Sequence, residues 1–181
     1  MDISNPSEEH LMLREMVRDW TQENVEPQAL EYDREEKFNL PLLREMGEMG
    51  LLGISAPEQY GGAGLDATAC AIVHEELSAS DPGFALAYLA HSMLFVNNLA
   101  KNGNDKQKER ILPLVCSGEW IGAMAMSEPD VGTDVLGLST TAEQQDDGTW
   151  KINGRKMWIT NGCLEEDDTP ADVVWVYAKT G

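Results

Sequence analysis

Apolar residues recur at helical spacing from the beginning of the chain to about Cys116. Leu13, Met16 and Val17 illustrate the pattern together with Trp20, because positions three and four apart lie on one face of a helix. The charged residues between them would lie on the opposite, solvated face. This first part of the chain is therefore predicted to be helical.

Capping and helix-breaking residues divide this pattern into separate helices. Asn5 followed by Pro6 is typical of an N-cap and the first helical position. Asp66 and Asp105 are predicted to cap two later helices. The predicted helices cover residues 6 to about 25, a charged segment to about 36, residues 42–49, 67–77 and 84–100, and a last helix that Pro113 kinks or ends.

After Ser117 and Gly118 the apolar pattern changes to a period of two, which is typical of strands. Asp147-Gly148 and Asn153-Gly154 are hairpin turn sequences between such segments. The predicted strands cover residues 120–126, 138–145, 149–152, 156–160 and 172–179.

Together these patterns predict an α+β chain of more than one domain. An all-α N-terminal domain would cover residues 1–118, and residues 119–181 would form the first strands of a β domain. So few strands would leave open sheet edges that need covering. We therefore expect the chain to be an incomplete part of a longer protein.

The charge balance narrows the class of partner. The 181 residues include 13 basic and 32 acidic side chains, for a net charge of −19. Nucleic acids and anionic membranes are bound through cationic patches, so neither is expected as a partner. No apolar run is long enough to span a membrane, and the first residues do not form a signal sequence. Cys70, Cys116 and Cys163 are far apart and are predicted to be reduced thiols of a cytosolic compartment, with no metal-ligand spacing.

Most sequence motifs of catalytic chemistry are missing. His74-Glu75 fails as the start of a zinc-protease helix, because Ser78 stands where the second histidine is needed. What remains is the polar turn Ser127–Thr133 after an apolar strand, together with Trp158-Ile159-Thr160. A tryptophan followed by a hydroxyl residue can cover a flat ring and hydrogen-bond its edge, and turn amides can bind phosphates. The residues alone equally allow two ordinary surface turns of a β domain.

Several long motifs resemble the acyl-CoA dehydrogenase family. They are "GLLGISAPEQYGGAGLD", "AMAMSEPDVGTDV", "INGRKMWITNG" and "ADVVWVYAKTG", at residues 50–66, 123–135, 152–162 and 171–181. The similarity covers essentially the whole chain. Within the family, the segment from "AHS" to "GAMAMSEP" looks most like the isovaleryl-CoA and other short- and branched-chain subfamilies.

The resemblance implies a fold of three parts: an N-terminal helical domain, a middle β-barrel and a C-terminal helical bundle, of which this chain matches the first and the front of the second. It also implies FAD as cofactor, an acyl-CoA substrate and a homo-oligomer, a dimer or homotetramer. Such enzymes act in fatty acid β-oxidation and branched-chain amino acid degradation. They remove a proton from Cα and pass a hydride from Cβ to flavin N5, and an electron transfer flavoprotein takes the electrons. The bacterial cytoplasm or the mitochondrial matrix is the implied location.

The resemblance also assigns residues of this chain to the cofactor. Met124, Met126 and Ser127 would lie along the flavin, with the hydroxyl near its pyrimidine edge. Trp158 would pack on the flavin face away from substrate, beside Ile159. The residues assigned to FAD are Met124, Met126, Ser127, Gly132, Thr133, Trp158, Ile159 and, near N5, Thr160.

For the substrate, the resemblance assigns Leu86 and Ala90 to the acyl pocket, and Thr133 to the phosphate region of CoA or FAD. An apolar stripe at helical spacing is also the ordinary signature of a core helix. The family's catalytic glutamate is expected beyond Gly181, and no residue of this chain is assigned as the base.

Two departures from the family pattern stand out. Asp130 and Val131 replace the usual asparagine or glycine and alanine, and an extra carboxylate disfavours bound phosphate. The acidic segment 163–170 resembles an inserted loop. Two alternatives stay open: a non-catalytic truncated homologue that acts as a helical interaction module, or a related acyl-CoA oxidase or flavin monooxygenase. The isolated chain is expected to be inactive and to bind FAD weakly.

Overall fold

The computed structural model describes residues 7–164 and 169–180. Its helices are α1 (Glu8–Asn24), α2 (Glu26–Arg34), α3 (Leu40–Glu48), α4 (Ala67–Ser80), α5 (Pro82–Leu89), a π-helix (Ala90–Asn97), α6 (Asn98–Asn102) and α7 (Asp105–Cys116), with short 3-10 turns at Glu58–Tyr60 and Val135–Gly137. The strands are β1 (Gly122–Ala125), β2 (Thr141–Gln144), β3 (Trp150–Asn153), β4 (Val173–Val176) and β5 (Lys179–Thr180). The predicted α+β class, helices first and strands after them, is confirmed.

Two predicted caps are wrong by a residue or two. The N-cap of α1 is Ser7: its backbone is extended, and its hydroxyl accepts a hydrogen bond from the His10 amide at 3.3 Å. The helix thus begins later than predicted, and the predicted cap, Asn5, lies outside the described residues. Asn104 rather than Asp105 caps α7, because it forms a reciprocal capping box with Gln107. Asp66 caps α4 as predicted.

Pro113 does not end α7, which continues to Cys116. The proline lies in the last turn, where its missing N–H removes one backbone hydrogen bond but does not stop the helix. Pro27 behaves as predicted, since α1 ends at Asn24 and α2 starts at Glu26.

The helical part has two adjoining cores. In the first, α1 packs on α4, and Val17, Leu43, Leu77 and Tyr88 are fully buried. In the second, the π-helix packs with α6 and α7 through residues that include Phe95. Within the described residues no helix is long and apolar enough to cross a membrane.

The strands form two small sheets. β1 pairs with β4 in parallel, and β2 lies between β3, which is antiparallel to it, and the short parallel β5. The predicted β2–β3 hairpin is confirmed, and its turn uses Gly148 with a φ of +82°. The strand predicted over 172–179 is split into β4 and β5, which join different sheets.

Two further predictions are corrected by the structure. Residues 156–160 are not a strand: the backbone of Trp158 is left-handed, with φ +57°, which breaks the extended alternation. The predicted single α-helix over 84–100 contains the π-helix. The acidic segment 163–170 lies partly outside the described residues, and its ends are joined by a hydrogen bond from the Leu164 amide to the Thr169 carbonyl at 2.7 Å.

Candidate functional site

A cavity of about 180 Å³ lies where the π-helix, β1 and the segment after β3 meet. One side consists of helical residues and the other of the two polar segments that the sequence singled out. Its lining residues are Ala90, Leu94, Met124, Met126, Ser127, Trp158, Ile159 and Thr160. All but Leu94 are among the residues that the family resemblance assigned to FAD or acyl-CoA.

The other assigned residues lie elsewhere. Leu86 lies on α5, where its side chain is 53% exposed, and it does not line this cavity. Gly132 and Thr133 lie on the exposed part of the turn after β1. The roles assigned to these three residues, like those of the residues that line the cavity, stay predictions.

β1 fixes the position of the cavity wall because it is buried between the π-helix and β4. Ala123 and Ala125 are buried, whereas Met124 is half-buried and faces the cavity. A Cβ at Gly122 would come within 2.4 Å of the Phe95 ring, so only glycine permits this close approach. The strand therefore delivers Met126 and Ser127 to the edge of the helical core.

The π-helix supplies the facing wall through Ala90 and Leu94. Such helices are rare and occur often at functional sites. Its buried His91 bridges two elements: Nε2 donates to the Val115 carbonyl at 2.9 Å, so Nδ1 accepts the Gly122 amide at 3.0 Å. Burial lowers the pKa of His91 to about 4, so its side chain is neutral at physiological pH.

A buried carboxylate that the motif analysis did not single out lies beside the cavity. Glu128 is 2% exposed, and its oxygens accept hydrogen bonds from the amides and hydroxyls of Ser139 and Thr140 and from Lys156. The Thr140 and Ser139 hydroxyls, then their amides, hold the pKa of Glu128 far below its usual range. In the sequence, Glu128 is marked only as an acidic residue that follows soon after an apolar strand.

The cavity residues fit a flat ring that is apolar on its face and polar at its edge. Met124, Met126 and Ile159 are apolar, and Ser127 and Thr160 place hydroxyls beside them. The Trp158 side chain is 76% exposed, so a large aromatic surface is available for stacking. An isoalloxazine ring has this combination of an apolar body and a hydrogen-bonding edge.

The turn after β1 fits phosphate less well. The amides of Glu128 and Val131 are each hydrogen-bonded to the other's carbonyl, at 3.0 and 3.2 Å, and so are not available to a ligand. Asp130 and Asp134 are exposed in the same turn and disfavour an anion beside them. These residues therefore fit the flat ring of a ligand better than a phosphate group.

A second cavity, of about 400 Å³, adjoins the first at Thr160. It lies between the connection of α2 to α3 and the start of α5, with Tyr32, Phe38 and Phe84 among its lining residues. Among the described residues no group of histidine, cysteine and acidic side chains could hold a metal ion. Cys70, Cys116 and Cys163 are free thiols.

Two family models match this sequence. "Acyl-CoA dehydrogenase, N-terminal domain" matches residues 7–119, and "Acyl-CoA dehydrogenase, middle domain" matches residues 123–180. The mitochondrial isovaleryl-CoA dehydrogenase of Pongo abelii is 46% identical over 180 residues, which is 98% of this chain and 41% of the relative. The chain thus spans about two fifths of the length of that protein.

Two solved structures are also similar to this chain over nearly its whole length. The acyl-CoA dehydrogenase from Bacillus anthracis, complexed with FAD, is 39% identical with a TM-score of 0.88, and the match covers 99% of this chain and 30% of that one. A chain in the structure of the electron transferring flavoprotein of Acidaminococcus fermentans is 34% identical with a TM-score of 0.90, over 100% of this chain and 46% of that one.

Proposed function

Because the chain belongs to the acyl-CoA dehydrogenase family, we propose that the complete protein oxidises a short or branched-chain acyl-CoA to its trans-2-enoyl-CoA with FAD as cofactor. The observation that carries this proposal is the cavity in which Met124, Met126 and Ser127 meet Trp158 and Thr160. The FAD complex of the Bacillus anthracis relative supports the choice of cofactor.

In the proposed reaction the chain's own residues bind, orient and exclude water. The apolar side chains of Met124, Met126 and Ile159 would keep water from the ring, and Trp158 would cover one face. The Ser127 and Thr160 hydroxyls would hydrogen-bond its edge and fix its orientation. When bound, FAD supplies an acceptor for the hydride that leaves Cβ of the acyl-CoA.

The proton from Cα requires a base, which we propose lies beyond Gly181. Among the described residues the buried carboxylates are Glu76 and Glu128. Glu76 is held by Arg18 and Arg14, whose hydrogen bonds keep its pKa below the usual value. Glu128 is saturated by its own donors. Neither is available to take up the substrate proton, which supports a base outside the described residues.

The relatives support more specific proposals for the substrate, the electron acceptor and the cellular location. The isovaleryl-CoA dehydrogenase relatives favour a branched short-chain acyl-CoA and a role in branched-chain amino acid degradation. The Acidaminococcus fermentans chain favours an electron transfer flavoprotein as electron acceptor. We further propose a homo-oligomer, a domain division between residues 118 and 119, and a location in the mitochondrial matrix or the bacterial cytoplasm.

The test uses the complete protein and two site variants. Anaerobic addition of isovaleryl-CoA is expected to bleach the long-wavelength absorbance of the bound flavin, because the hydride reduces it. Trp158→Ala and Thr160→Ala are expected to weaken FAD binding by about tenfold or more, since each removes a stacking or hydrogen-bonding contact on the ring.

Trp150→Ala is the matched control, because Trp150 is another exposed tryptophan but lies on β3 and does not line the cavity. Its FAD affinity and bleaching should equal those of the unmodified protein. A complete protein that copurifies without flavin and binds none on titration would refute the proposal. Rapid reoxidation of the bleached flavin by oxygen, with no response to an electron transfer flavoprotein, would indicate an oxidase instead.

A further inference from the structure

The two segments that form the ring cavity are joined by one buried ion pair. Met126 and Ser127 follow β1, whereas Trp158 and Thr160 lie beyond the β2–β3 hairpin. In the described part of the chain, a single backbone hydrogen bond directly joins the two segments, from the Met157 amide to the Ser127 carbonyl at 3.1 Å. Because one backbone hydrogen bond does not fix the position of one segment relative to the other, side-chain contacts must also hold them together.

Lys156 makes that connection. Its Nζ donates to the Met126 carbonyl and to Oε1 of Glu128, each at 3.0 Å, and its side chain is only 12% exposed. One ammonium group thus binds the backbone of the first segment while the lysine's own backbone begins the second. A buried ion pair holds its geometry well only when the remaining hydrogen-bonding capacity is also satisfied.

Glu128 meets that condition. Oε2 accepts the Ser139 amide and hydroxyl at 2.6 and 2.7 Å, and Oε1 accepts the Thr140 amide and hydroxyl at 2.9 and 2.5 Å. The carboxylate is therefore fixed by the chain that enters β2, and it fixes Lys156 in turn. With both oxygens occupied it has no capacity left to act on a ligand.

The backbone of the second segment is in an unfavourable conformation that needs such support. Trp158 and Asn161 have φ values of +57° and +61°, and a left-handed backbone is disfavoured for a residue as bulky as tryptophan. Lys156 holds the segment before Trp158. After it, the Asn161 side chain donates to the Ala87 carbonyl on α5 at 2.9 Å. Such conformations persist where the surroundings fix them, and they are frequent at ligand-binding sites.

We propose that Lys156 and Glu128 are positioning residues of the ring site: they hold the Trp158–Thr160 segment against Ser127 in the orientation that receives the ligand. The identity of that ligand as FAD rests on the proposed function. The positioning itself is a property of this chain and can be measured without any ligand.

The test compares Lys156→Met with Lys156→Arg, and uses Lys151→Met as control because Lys151 is exposed on β3. Amide hydrogen exchange and the Trp158 indole resonance are measured in the 181-residue chain. Lys156→Met is expected to accelerate exchange at the Met157, Ser139 and Thr140 amides by about tenfold or more, because a charged hydrogen-bond network loses a partner. The indole resonance should shift, whereas the hairpin amides at Ala142 and Ile152 should stay protected.

Lys156→Arg retains a cation in reach of the same oxygens and should restore most of the protection, and Lys151→Met should change none of it. In the complete protein, Lys156→Met is then expected to weaken FAD binding by about tenfold while the control does not. If the indole resonance and the Met157 amide are unchanged in a folded Lys156→Met protein, the positioning role is refuted.

If Lys156→Met does not fold, Glu128→Gln takes its place, since it removes the charge and keeps one oxygen acceptor. Unchanged exchange at Met157 in that variant would refute the proposal equally. If exchange and the indole resonance change but the unmodified complete protein binds no FAD, the positioning role holds and the proposed function fails. The two claims are thereby separated.

Discussion

The imidazole of His91 joins three elements at a single buried point. It accepts the Gly122 amide at the start of β1, donates to the Val115 carbonyl of α7, and belongs to the π-helix that carries Ala90 and Leu94. Both ring nitrogens are used, so the residue is satisfied only in its neutral form. Its protonation state is therefore coupled to the integrity of the cavity wall.

Acidification is expected to destabilise the chain through this residue. The pKa of His91 falls from 6.5 to about 4 on folding, so between these values the unfolded state binds more protons than the folded state. The free energy of unfolding therefore decreases as the pH falls from about 6.5 toward 4. Protonation of His91 accounts for roughly 3 kcal/mol of that decrease. Urea unfolding at a series of pH values measures it.

His91→Gln provides the control, because a glutamine amide also has both a donor and an acceptor group but does not titrate. In that variant the decline between pH 6.5 and 4.5 should disappear. The lowered pKa of Glu128 adds a separate decline below its ordinary value of 4.5, which His91→Gln should retain. Identical pH profiles for the two proteins above pH 4.5 would contradict the assignment.

Sequence reasoning could select candidate site residues where the side chain has a characteristic chemistry. Ser127, Trp158 and Thr160 lie in motifs whose chemistry points to a ring ligand, and the structure brings them together. Glu128 and Lys156 lie in the same motifs but show their connection only when the chain is folded, because the contact joins segments on either side of a hairpin. Leu94 was missed because nothing distinguishes it from other apolar residues of its helix.

At the scale of elements, the contact between β1 and the π-helix determines where the cavity opens. Gly122→Ala is expected to reduce stability by about 1–3 kcal/mol, because the new Cβ would come within 2.4 Å of the Phe95 ring and force the strand away. Thermal or urea unfolding measures the change. The displacement should also move Met124 and enlarge the cavity.

Gly132→Ala is the matched control, since no atom lies within 4 Å of a Cβ built there. Its stability should stay within about 0.5 kcal/mol of the unmodified chain. Equal stability of the two variants would contradict the close packing of β1 on the π-helix.

Elements with strong local signals were predicted well, and elements shaped by distant contacts were not. Asp66 predicts the start of α4, and Asp147-Gly148 predicts the turn of the β2–β3 hairpin. In both cases the residues that determine the structure are neighbours in the sequence. The segment 156–160 alternates like a strand, yet Lys156 and Asn161 tie it to Met126, Glu128 and Ala87 instead. The π-helix has no local sequence signal that separates it from an α-helix.

At the scale of the whole molecule, the cavity needs both parts of the chain. The helical part supplies Ala90 and Leu94, and the strand-forming part supplies the polar and aromatic residues. Trp158 remains largely exposed, and the turn at Asp130 and Asp134 adds negative charge where a phosphate would need donors. The 181-residue chain on its own is therefore expected to bind FAD more weakly than the complete protein.

The central claim is that this cavity receives the flavin ring, and a crystal structure of the complete protein with FAD tests it most directly. The claim predicts that the isoalloxazine stacks against Trp158, that the Ser127 and Thr160 hydroxyls hydrogen-bond its edge, and that Lys156 still links Met126 to Glu128. A flavin bound elsewhere, with no contact to Trp158 or Thr160, would contradict it.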